Sequence, residues 1–137
     1  MDDKLSRLEY LSQHLNSSSD SLTEAIERVE KKLAFLRLGV TAFVDEPLET
    51  LKCTNVQGDH TYHYNLAYTK GDNGWGLVIW MCDEENSVKE EVTLLQAPRE
   101  RRIKALHKLP ALLQQLEWKA EAVFEEVEKA RAIAESI

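Results

Sequence analysis

From Leu106 onward, apolar residues recur in alternating steps of three and four: Leu106, Leu109, Leu113, Leu116, Ala120, Val123, Val127, Ala130, Ala134 and Ile137. No polar residue breaks the series. An average step of 3.5 nearly matches one helical turn, so these side chains form a single seam along a helix. A seam of that length has to be covered by something. That requirement constrains the fold more than any other feature of the chain.

An unbroken helix from Pro98 to Ile137 is about 60 Å long at 1.5 Å per residue. A compact 137-residue domain has a radius of gyration of only about 14 Å. The helix must therefore project, or pair with an element of similar length. The N-terminal segment supplies such an element. Met1, Leu5, Leu8, Ser12, Leu15, Ser19, Leu22, Ile26, Val29, Leu33, Leu36 and Val40 share one heptad register, with Ser12 and Ser19 as its polar members.

The tract Asn16-Ser17-Ser18-Ser19-Asp20-Ser21 works against a continuous helix, because short polar side chains compete for backbone hydrogen bonds. Ser21 with Glu24 also fits a capping box. The continuous phase favours one long helix over residues 1–39 with a weak or kinked middle. The alternative is a helix over 3–15 followed by another over 21–38. Gly39 is placed to end the helix, since glycine accepts the left-handed cap conformation.

Residues 40–96 read as antiparallel sheet. Val40-Thr41-Ala42-Phe43-Val44 suits a short strand. Pro47 interrupts it, and residues 45–58 are ambiguous. Tyr62, Tyr64, Leu66 and Tyr68 alternate with smaller or polar residues, the period-2 signature of a half-buried strand. After the turn cluster Lys70-Gly71-Asp72-Asn73-Gly74, the run Trp75-Gly76-Leu77-Val78-Ile79-Trp80-Met81-Cys82 is apolar on both faces and suits a central strand. Val88, Val92 and Leu94 mark a last strand.

Short turns between strands predict a meander of three to five strands, and hence an α+β fold in a single domain. Residues 97–137 return to helix, opened by Pro98 and kinked or split near Lys108 by Pro110. The simplest assembly of these parts is an antiparallel, coiled-coil-like helical hairpin packed with the central sheet.

The apolar stripe on the last helix is wider than one partner helix needs. Ala105, Leu112, Phe124 and Ile133 flank the seam where a solvated two-stranded coil carries charge. Either the sheet covers them or a second copy of the chain does, and the width favours a homodimer. Trp118 lies opposite the seam. The candidate interface is Leu106, Leu113, Leu116, Val123, Phe124 and Val127.

Chemistry is hard to find in the sequence. His60, His63, Cys53 and Cys82 are the natural metal candidates, but residues three apart on a strand point to opposite faces, and neither cysteine has a close partner in sequence. There is no nucleophile elbow, and the paired carboxylates fall in solvated positions. The tyrosines of residues 62–68 lack the surrounding cations of a single-strand-binding platform. No catalytic residue, cofactor or metal site is expected.

One cluster stands out: Arg99, Arg101, Arg102 and Lys104 gather cations at a helix start, where the helix dipole prefers anions. They form a candidate patch for an anion or an acidic partner, unless Asp45, Glu46, Glu49, Asp83, Glu84, Glu85, Glu90 or Glu91 neutralises them. Glu100 is also spaced to pair with Lys104.

The net charge of −7 argues against nucleic acid and anionic membrane as partners. The charged start Met-Asp-Asp-Lys-Leu-Ser-Arg does not resemble a signal peptide, and two unpaired cysteines suit a reducing, cytoplasmic setting. The leading expectation is a non-enzymatic interaction or assembly protein that self-associates through its helices. The alternatives are a small-ligand or anion-binding domain using Arg99–Lys104, and an acidic inhibitor or immunity-type protein that masks a basic partner.

Overall fold

The computed structural model describes residues 2–137, so Met1 of the expected N-terminal seam lies outside them. The chain divides into two compact units, Met1–Leu36 and Arg37–Ile137. The elements run α1 (Asp2–Leu36), β1 (Ala42–Phe43), β2 (Glu49–Asn55), β3 (Gly58–Gly71), β4 (Gly74–Cys82), β5 (Val88–Thr93), a 3₁₀ turn (Leu94–Gln96), α2 (Arg99–His107) and α3 (Leu109–Glu135). The expected α+β class with an antiparallel meander is observed.

The first unit is one uninterrupted helix, α1. The serine tract does not break it, and the Ser21–Glu24 pattern caps nothing. The hydroxyl of Thr23 instead donates back to the carbonyl of Ser19 at 3.1 Å, the local bond a helix interior permits. The helix also stops earlier than expected. Arg37 already adopts φ 49°, and Gly39 follows at φ 65°. Gly39 therefore turns the chain after the helix has ended. Leu5, Leu8, Leu11 and Leu15 are all exposed.

In the second unit β4 lies between β3 and β5, and both β1 and β2 pair with β3. The segment with no clear sequence signal, residues 45–58, contains β2. Its strand Glu49–Asn55 is mostly exposed, so burial imposed no alternation on it. Pairing with β3, in register from Glu49 opposite Tyr64 to Asn55 opposite Gly58, is what positions it.

β1 and β2 are in effect one edge strand broken by Pro47, which has no N–H to give to the ladder. The backbone N–H groups of Val44 and Leu48 still donate to Leu66 and Tyr64 on either side of the break. The buried Asn65 side chain closes the gap, its Nδ2 donating to the carbonyls of Val44 at 2.9 Å and Asp45 at 3.2 Å.

Residues opposite one another in an antiparallel pair share a face. Tyr64, Leu66 and Tyr68 stand opposite Met81, Ile79 and Leu77. All but Met81 are buried. α2 lies on this face, since the Arg101 guanidinium sits 4.0 Å from the centre of the Tyr64 ring. α3 packs against β1 and β3. Leu94, Ala105, Leu112 and Leu116 complete the core. The outer edge strand β5 is exposed throughout, and Lys89, Glu90 and Glu91 make it a poor template for another strand.

The break in the last helical region falls where Pro110 placed it. Lys108 ends α2 and precedes α3 with φ −96° and ψ −3°, and Pro110 occupies the first turn of α3, where its missing N–H leaves no bond unmade.

Candidate functional site: the outer half of the last helix

The buried row of α3 is not the predicted seam. Leu112, a flanking residue, is fully buried and Leu116 is 2% exposed, while their seam neighbour Leu113 is 42% exposed. Leu106 is half-buried, with the buried Ala105 beside it. The helix is therefore rotated so that one flank of the seam faces the sheet. This separates the flanking residues into two pairs. Ala105 and Leu112 are covered within the chain, whereas Phe124 and Ile133 are not.

Beyond Ala120 the helix leaves the core. Every residue from 121 to 137 is exposed except the half-buried Glu128. Val123 is 47% exposed, Phe124 63% and Val127 55%, and all remain on the heptad face or its flank. Around them the charges are arranged along the helix. Arg131 bonds Glu128 at 2.7 Å and lies 3.6 Å from Glu135, and Lys129 lies 3.7 Å from Glu126. Trp118 is exposed on the opposite side.

Of the six predicted interface residues, the structure thus gives Leu116 to the core and leaves Leu113, Val123, Phe124 and Val127 open.

The basic cluster has partners from the sheet. Arg101 Nε donates to Glu49 Oε1 at 2.6 Å, Lys104 Nζ reaches Glu49 Oε2 at 3.3 Å, and Lys108 pairs with Glu46 at 2.8 Å. Lys104 reaches across to the sheet rather than along its helix to Glu100. The hydrogen bond from Arg101 holds the Glu49 carboxyl below the usual carboxylate range, and the same bond raises the Arg101 guanidinium. Arg101 also stacks on Tyr64, so it is fixed on both sides. Arg99 is exposed and Arg102 half-buried.

The histidines and cysteines meet in pairs that spacing did not reveal. Cys53 stands opposite His60, and His63 opposite Cys82. The two pairs occupy opposite faces of the sheet, as the three-residue step between the histidines requires. His63 Nδ1 lies 3.1 Å from the Thr50 hydroxyl. Burial pushes the Cys82 thiol up, with Asp83 adding to the effect, which makes it a poor nucleophile. Among the described residues, no three metal-ligating side chains converge.

Two clefts flank these pairs. One, of about 390 Å³, is bordered by His60, Asp83, Glu84 and Lys89. The Asp83 and Glu84 carboxylates are already engaged. Asp83 accepts the N–H groups of Glu85 and Ser87 and pairs with Lys89, and Glu84 accepts the N–H of Thr61. These bonds, led by the one from Ser87, keep the Asp83 carboxyl below its ordinary value. The other, of about 370 Å³, lies on the face away from α2. Phe43 and Trp80 border it with ring centres 5.8 Å apart, and Trp80 Nε1 donates to Glu91 at 2.8 Å.

Comparison with protein-family models, with curated proteins and with solved structures gives no match to this chain. Among the described residues, no helix is long and apolar enough to cross a membrane.

Proposed function

We propose that this protein is a non-enzymatic assembly module that associates with itself through the outer half of α3. One observation carries the reading: Val123 and Val127, with Phe124 on their flank, continue an unbroken apolar heptad into a stretch of helix that no part of the sheet unit covers. Burying a Val or Phe side chain is worth about 1.5–3 kcal/mol. Association costs at least ~4 kcal/mol in lost translation and rotation. A few such residues from each of two copies are enough to offset that cost, and a homodimer counts each contact twice.

The coiled-coil character expected of the helices belongs to this proposal. The pairing of Arg101 and Lys104 with Glu49 weighs against the alternative of an anion patch at Arg99–Lys104. Light scattering of the purified chain over 1–100 µM tests the reading. A dimer is expected, and Val127→Glu should return it to monomer without loss of helical signal. A wild-type chain that stays monomeric across that range removes the proposal.

A further inference from the structure

The cleft beside Phe43 and Trp80 is lined by a carboxylate and by no cation. We propose that it is a binding site for an organic cation with N–H donors, a guanidinium or primary ammonium on a short alkyl stem. The proposal does not depend on self-association through α3.

Strand register assembles the lining. Asn65 stands opposite Trp80, and Cys82, two residues further along β4, stands opposite Val88. Two residues beyond Asn65 on β3 comes Ala67, opposite Phe43. Steps of two and cross-strand pairs both keep to one face of a sheet, so these side chains share the face away from α2. The small Ala67 leaves room for the Phe43 and Trp80 rings to meet beside it, with centres 5.8 Å apart and planes tilted by 45°. Trp80 is half-buried and Phe43 is 41% exposed, so ring surface stays open to the cleft. An aromatic face attracts a cation through its quadrupole.

Asn65 adds a second requirement. It is 6% exposed and lines the cleft. Its Nδ2 is spent on the carbonyls of Val44 and Asp45. Among the described residues nothing donates to its Oδ1. A buried acceptor ordinarily has a donor, so this oxygen calls for an N–H or O–H from outside the chain. Water would meet that need too; the charge around the oxygen is what favours a cation. The Asp45 carboxylate borders the same cleft and, among the described residues, pairs with no cation. Glu91 stands opposite Trp80 and accepts its indole N–H, which places a further negative charge beside the ring. The adjoining cations are committed elsewhere: Lys89, after Val88, pairs with Asp83 at 3.4 Å, and Lys108 pairs with Glu46, beside Asp45, at 2.8 Å.

A guanidinium or primary ammonium answers these features together. Its N–H groups donate to Asn65 Oδ1 and to the Asp45 carboxylate, the latter a charge-assisted bond of the stronger kind. Its charge lies against the rings, and its stem covers Val88. A quaternary ammonium would suit the rings but offers Asn65 no donor. An anion would meet Asp45 and Glu91. The net charge of −7 draws cations toward the chain and repels anions.

The test is a titration of the full chain followed at the Trp80 indole N–H resonance, which the loss of one signal in Trp80→Phe assigns. n-Butylguanidinium should shift it saturably. n-Butylurea, of the same shape without the charge, and tetramethylammonium, charged but without N–H, should each bind at least about tenfold more weakly. Asp45→Asn, at an exposed position, should weaken n-butylguanidinium about fivefold, and Phe43→Leu about threefold. Glu135→Gln, at the end of α3, should leave binding unchanged and so separates the site from general attraction to an acidic protein. A blocked Gly-Arg-Gly peptide distinguishes the sources of the cation. If it binds more tightly than n-butylguanidinium, the ligand is an arginine side chain of a protein partner. If it does not bind while n-butylguanidinium does, the ligand is a small molecule. A response that never saturates, equal binding of n-butylurea, or binding that survives Asp45→Asn in a chain with a well-dispersed spectrum overturns the proposal. Equal binding of tetramethylammonium overturns the part given to Asn65.

Discussion

The two halves of α3 carry the same heptad and lead different lives. In the first half, Leu112 and Leu116 are sealed into the core. In the second, Val123, Phe124 and Val127 face solvent. Nothing in the residue types predicts the change, since Leu, Val and Phe are all ordinary core residues. What differs is reach. β1 and β3 lie against α3, and the helix outruns them. An apolar pattern therefore records that a face is meant to be covered, without recording by what.

The sharpest way to break this comparison is to truncate one residue in each half. Leu112→Ala or Leu116→Ala should destabilise the fold by about 2–5 kcal/mol, as large-to-small changes in a filled core do, and chemical denaturation measures it. Val127→Ala should change monomer stability by less than about 0.5 kcal/mol and yet weaken association several-fold. Equal losses of stability at the two sites would mean that the outer half is core after all.

A second contrast lies within the sheet unit, between polar side chains that hold the fold and those that decorate it. Asn65→Ala leaves the Val44 and Asp45 carbonyls without their shared donor at the break before Pro47. It should cost about 1–3 kcal/mol, read from the urea midpoint. Glu91→Gln, which keeps an acceptor for Trp80, should be close to neutral.

Glu49→Gln is expected to be milder, about 1 kcal/mol, because its ion pairs are partly solvated. It also has a pH signature. The Glu49 carboxyl is held low by Arg101, so its contribution is fully present above the ordinary glutamate pKa of about 4.3. It is lost as pH falls through the lowered folded-state value. The variant should therefore converge with the wild type in acid, and a gap that does not narrow as the pH falls would exclude this pair as its source.

Much of the fold was legible in the residues. The long β3 and β4 announce themselves by alternation and by a fully apolar run. Pro110 fixed the break between α2 and α3, because a ring without an N–H is free of cost only in a first turn. β2 was illegible for the opposite reason: an exposed edge strand is defined by hydrogen bonds to its neighbour, and those leave no hydrophobic period. The serine tract misled in part, because local competition for hydrogen bonds is worth less than the continuous apolar phase on either side of it. The cross-strand neighbours Cys53–His60 and His63–Cys82 come from register alone. Of the candidate patch, the cations and their acidic partners could all be named from sequence, but the choice of Glu49 for Arg101 and Lys104 needed β2 in place.

The sequence by itself determined that the last helical region has an apolar face too wide for a simple coil, and where that region breaks. Only the tertiary structure decided which edge of the face turns inward. Rotation about a helix axis is set by what the helix packs against, and that sheet is built from residues far away in the chain. With Leu112 turned toward the core, Leu113 and Phe124 were left to water. A single heptad thus became core at one end and open surface at the other.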